Sequence, residues 1–133
     1  MTSNFTEIKI TGLDVDRTQP SQKASGLRHM YLQLSSSPPA EWVQLFDKER
    51  SFPRHTMWRH AWIEGSYIVV DCVPDEIEQY HLRDLREDVN NSNQKYSQFL
   101  ARSEAQQKAV ADEKQNEKER LEELASRLKF DSE

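Results

Sequence analysis

After Pro74 the chain contains neither glycine nor proline: Gly12, Gly26 and Gly65, and Pro20, Pro38, Pro39, Pro53 and Pro74, all precede residue 75. The remainder is rich in Glu, Gln, Lys, Arg, Ala and Leu. It is expected to be helical, because nothing in it removes a backbone donor or loosens the backbone. Three glycines in all cannot make a glycine-rich phosphate cradle. The single cysteine, Cys72, excludes an intrachain disulfide and suits a reducing compartment. No apolar run approaches the roughly 20 residues of a membrane-spanning helix. The start Met-Thr-Ser-Asn-Phe-Thr-Glu lacks the basic and apolar regions of a secretory signal. A cytoplasmic protein with no membrane partner is expected.

Apolar residues are scarce as well. They make up 35% of the chain, against roughly 45–50% in globular domains, while the charged share of 31% exceeds the usual value of about 25%. Most aliphatic and aromatic runs lie between Met30 and Val73. The composition therefore supports a small core, with a compact domain over residues 1–100 and a charged helical extension over 101–133.

Within the first part the alternation of Ile8 and Ile10 reads as a strand over Phe5–Ile10, and Gly12 then predicts a bulge or bend. Residues 16–27 read as a polar loop. Arg28–Leu34 is the clearest strand, with Met30, Leu32 and Leu34 on one face and His29, Tyr31 and Gln33 on the other. Ser-Pro-Pro after it opens a helix, with Ser37 as cap and a proline at the first helical position. Its apolar face is Trp42, Val43, Leu45 and Phe46. Met57–Ile63 and Ser66–Val73 form two strand-like runs around Glu64-Gly65, where glycine supplies the positive φ of a hairpin. Apolar residues on both faces of these runs suggest central strands, or a sheet covered on both sides. Pro74-Asp75-Glu76 opens the last helix, with Asp75 and Glu78 at capping-box spacing. Its stripe comprises Ile77, Leu82 (or His81), Leu85, Val89, Tyr96, Phe99 and Leu100. Asn90–Asn93 is its weak stretch. The order β-β-α-β-β-α predicts an α+β fold: a small antiparallel sheet with packed helices and a long C-terminal helix.

No motif specifies a reaction, a metal or a nucleotide. His29, His55, His60 and His81 fall in no metal-binding spacing. Should their strands be neighbours on one face, His29, His60 and Asp71 are the candidates for a metal or acid–base site. Cys72 reads as a small buried hydrophobe. No cofactor is called for. A heptad frame starting at Val89 turns polar after Phe99, too polar for a continuous two-stranded seam, but Leu121, Leu124 and Leu128 recover an apolar patch.

Besides an enzyme with His60 or His29 as its acid–base group, two non-catalytic readings of function follow. The first is a non-catalytic interaction or adaptor module. It would bind a protein partner, or a second copy as a homodimer of coiled-coil type. Its surfaces would be a sheet face carrying Tyr31, Trp58, His60 and Trp62 and the helix patch of Leu121, Leu124 and Leu128. The second is nucleic-acid binding through segment 48–62, which carries a net charge of +3 and interleaves Arg50, Arg54, His55 and Arg59 with Phe52, Trp58 and Trp62. The net charge of −5 for the whole chain weighs against the second. Its alternative is that the arginines pair with the acidic C-terminal helix.

Overall fold

A computed structural model describes residues 5–21 and 26–130. Four strands, β1 (Ile10–Pro20), β2 (Arg28–Leu34), β3 (Ala61–Glu64) and β4 (Tyr67–Cys72), form one sheet in the order β1-β2-β4-β3. Every neighbouring pair is antiparallel. Helix α1 (Ala40–Arg50) connects β2 to β3, and α2 (Leu82–Arg127) follows β4 after a π-helical turn at Ile77–His81. This is an α+β fold. The chain divides into two compact units, one ending at Ser97 and one running from Gln98 through the rest of the helix. Among the described residues no helix is long and apolar enough to cross a membrane.

The alternation in β2 sets the core. Met30, Leu32 and Leu34 are buried, whereas His29, Tyr31 and Gln33 keep contact with water. On β4, Ile68, Val70 and Cys72 continue the inner layer, being the cross-strand partners of Leu32, Met30 and Arg28. Trp42 and Phe46 of α1, stacked at 5.6 Å, and Leu85 and Val89 of α2 complete it. Each such fully buried side chain contributes about 1.5–3 kcal/mol. The hairpin between β3 and β4 turns at Gly65, whose φ of 56° is open to glycine. In β1 the register shifts between Ile10 and Gly12, where the broken alternation predicts a bulge, and again between Asp14 and Gln19.

Several boundaries differ from the sequence expectation. Phe5–Lys9 is not strand, although Ile8 is buried. Strand β1 instead runs on through Asp16–Pro20, read above as loop. An edge strand paired on one side tolerates polar side chains on both faces, so alternation is a poor guide there. Residues 22–25 of that loop lie outside the described residues. Pro39 itself occupies the cap of α1, with no side-chain bond from Ser37. The strand before the hairpin shortens to Ala61–Glu64 and lies at the sheet edge; only β4 is buried on both faces. No capping box forms at Asp75, since the π turn precedes α2 without a side-chain cap. The π turn adds a residue to the helical repeat and rotates the following face. His81 thereby enters the interior while Leu82 stays half-exposed.

The largest departure is at Asn90–Asn93. Asn93 is buried and makes three hydrogen bonds. Its Oδ1 accepts from the Ile8 amide and from Trp42 Nε1, both at 2.9 Å, and its Nδ2 donates to the Ile8 carbonyl at 2.8 Å. Ser92 is buried beside it, bonding back to the Asp88 carbonyl, and Asn91 reaches Glu49 on α1. A polar side chain on α2 thus takes the place of a neighbouring strand for the extended segment at Ile8.

Substituting Asn93 by Ala leaves three buried groups without partners, each costing about 1–3 kcal/mol. Urea denaturation should show a loss of at least about 3 kcal/mol. Asn90→Ala, on the exposed side of the same turn, should change stability by less than about 0.5 kcal/mol.

Candidate binding surfaces

Segment 48–62 folds back onto the acidic first turns of α2. Asp88, fully buried, receives Arg50 Nη1 on Oδ2 at 2.9 Å and Arg54 Nη2 on Oδ1 at 2.6 Å. Burial raises the Asp88 carboxyl above its ordinary value, and the two guanidinium groups oppose that rise. Both oxygens accept from cations, which is the geometry of a carboxylate. Arg50 also donates to the Arg59 carbonyl. Trp58 covers the pair: its ring centre lies 3.8 Å from Arg50 Cζ and 4.7 Å from Arg54 Cζ, and its Nε1 donates to the Arg50 carbonyl. His55 pairs with Asp84. Arg59 makes a two-pronged bond to Glu76, 3.0 Å on each oxygen, and His81 lies 3.1 Å from the same carboxylate. Arg59 above all, with His81, holds the Glu76 carboxyl well below its usual range, at about 2. The four basic residues considered for nucleic-acid binding, Arg50, Arg54, His55 and Arg59, therefore each carry an acidic partner.

The outer face of the sheet gathers a different set. Tyr31 and Tyr67 meet edge to face at 5.7 Å, with Arg17 Cζ 4.8 Å from the Tyr67 ring centre. Tyr67 donates to Asp14 Oδ2 at 3.0 Å. Across β4, Trp62 stacks on His60 at 4.8 Å and meets His29 edge-on at 5.6 Å. Val69 lies between its cross-strand partners Tyr31 and Trp62 and is fully buried. The outer face thus has a thin apolar layer of its own. His29 Nδ1 stands 3.6 Å from Asp71 Oδ1, beyond hydrogen-bond range.

Tyr31, His60 and Trp62 therefore share a face, as the alternation suggests. Trp58 does not join them, because the chain enters β3 only at Ala61 and Trp58 is turned toward Arg50. His60 precedes the strand, although its carbonyl accepts from the Asp71 amide. Cys72 is buried, and desolvation pushes its thiol up to about 12, which removes it as a nucleophile near neutral pH. Among the described residues no group of three His, Cys, Asp or Glu is placed to hold a metal ion.

In the unit beginning at Gln98 the side chains are nearly all exposed. Leu121, Leu124 and Leu128 are 56%, 42% and 48% exposed, and Val110 is 59% exposed. A helical bond from the Leu128 amide to the Leu124 carbonyl keeps the three leucines in register. Sequence reasoning missed Asn93 and Asp88, buried polar residues interspersed with Leu85, Val89 and Tyr96 on the inner face of α2. The one available signal was acidic residues on α2 opposite an unusually basic segment. Compared with known proteins, the chain finds no match: no family model, no curated protein and no solved structure.

Two stability tests follow. Asp88→Ala leaves the buried Arg50 guanidinium without its carboxylate, Arg54 keeping Glu87 at 3.8 Å, and should cost about 3–5 kcal/mol in a urea titration. Glu76 titrates at about 2 in the fold against 4.5 ordinarily. Its contribution is therefore complete above pH 4.5 and is lost as the pH falls toward 2. Between those limits the urea midpoint of the wild type should fall more steeply with acidification than that of Glu76→Gln. Parallel curves would show that the Arg59 pair carries no such linkage.

Proposed function

We propose that this chain is a non-catalytic protein-interaction module of the cytoplasm, with a protein or a second copy of itself as partner. The observation that carries this reading is the aligned, exposed row of Leu121, Leu124 and Leu128 on the helix beyond Gln98. Large aliphatic side chains recurring at i, i+3 and i+7 are the pattern by which helices dock. Burying each against a partner would be worth about 1.5–3 kcal/mol.

The outer sheet face supplies a second surface. Tyr31, Trp62 and His60 are part-exposed rings with polar edges, a composition suited to interfaces. Trp58 is left to the Arg50–Asp88 cluster. The ion pairs at Arg50, Arg54, His55 and Arg59 leave segment 48–62 little free charge to set against phosphates, which supports the protein-binding reading over nucleic-acid binding.

The reading is tested by quantitative affinity capture from native lysate. Three baits are compared: the full chain, Leu121→Asp with Leu124→Asp, and Tyr31→Ala with Trp62→Ala. The full chain should retain a defined set of proteins that at least one double variant loses more than tenfold. Identical captured sets for all three baits would overturn it.

A further inference from the structure

We infer that the helix beyond Gln98 pairs with the same helix of a second copy, antiparallel, crossing between residues 115 and 116. This names the partner within the reading above and rests on it. From Leu100 onward one helix face follows a heptad: Leu100, Gln107, Lys114, Leu121 and Leu128 at one core position, and Ser103, Val110, Glu117 and Leu124 at the other. The pattern places two opposite charges, Lys114 and Glu117, at the middle of the seam. Neither is engaged by an ion pair of its own helix.

Those charges decide the orientation. In a parallel pair each core layer sets a residue against its own copy, so Lys114 would face Lys114 and Glu117 would face Glu117. Burying like charges together is strongly unfavourable. In the antiparallel pair the two positions exchange. Lys114 of each copy meets Glu117 of the other, twice over by symmetry. The same register places Leu121 against Val110 twice, so both exposed apolar residues are covered on each side of the charged centre. It also brings Glu113 beside Arg120 of the second copy at the flanking positions, again twice. Leu124 meets Gln107 and Leu128 meets Ser103, which lengthens the seam with softer layers. A self-complementary arrangement in which both core charges and the Glu113–Arg120 pair meet the opposite sign is what a two-fold interface requires.

The test uses the full chain alone in solution, so its failure is separable from failure of the lysate experiment. Light scattering at concentrations up to hundreds of micromolar should show a concentration-dependent dimer. Val110→Cys chains mixed with Leu121→Cys chains should form a disulfide under mild oxidation, and neither variant alone should. The two equivalent Val110 positions lie about 16 Å apart along the pair at about 1.5 Å per residue, beyond the roughly 7 Å Cα limit of a disulfide. Lys114→Glu should weaken the dimer at least tenfold, and adding Glu117→Lys should restore it, with helix content unchanged by circular dichroism in both. A monomer throughout the range overturns the inference, as do same-position cross-links or a Lys114→Glu dimer of undiminished strength. If the chain is monomeric while the Leu121→Asp and Leu124→Asp bait still loses bound proteins, the interaction module stands and only its self-pairing falls.

Discussion

A carboxylate with no access to water requires compensation, and Asp88 receives it from two arginines that lie 38 and 34 residues earlier in the chain. Moving such a group into the interior costs several kcal/mol unless cations and donors meet it there. That requirement binds the end of α1, the segment after it and the first turns of α2 into one arrangement. Trp58 closes over the guanidinium groups, and Arg50 and Arg59 are linked through the backbone. The basic character of residues 48–62 is thus answered from inside the fold. This is why the most nucleic-acid-like stretch of the sequence has so little charge left for an external polyanion.

The neighbouring clusters follow the same logic. Glu76, at the cap of the π turn, gathers Arg59 and the turn's last residue His81, and Asn93 supplies the hydrogen bonds that a further strand would otherwise give to Ile8. With apolar residues so scarce, the helical layer of this small core is positioned by directional polar contacts as much as by volume. Such contacts specify one arrangement, since a shifted helix would strand several buried groups at once.

Where a pattern is periodic, the sequence discloses the structure. Strand β2, the turn at Gly65, the helical run after Pro74 and the α+β class all rest on alternation, on glycine's positive φ or on the absence of breakers. The outer-face grouping of Tyr31, His60 and Trp62 rests on alternation too. What escaped the sequence depends on single long-range partners. Asn93 looks like a defect in a helix because its hydrogen bonds go to residues 85 and 51 positions away. Trp58 shares the spacing of His60 and Trp62, but the chain is not yet strand at that point, and a cation–π contact draws it elsewhere. The pattern left Leu82 and His81 open for one inward place, and the π turn, an event with no compositional mark, decides for His81.

The bond between Ile8 and Asn93 also fixes an order of events during synthesis. The ribosome delivers the chain from its N-terminus, so β1 through β4 are made before the side chain that must hold Ile8 in place. Until the turns carrying Asp88 and Asn93 have cleared the exit tunnel, the early segment has no docking site and the arginines no counter-charge. Once β4 ends at Cys72, the sheet must therefore wait, with α1 as its only helical cover, for the first turns of α2 to be translated. Closure of the N-terminal unit is set by the delivery of α2, and any pause in translation shortly before residue 88 would prolong the interval in which that face is open to chaperones or to other chains.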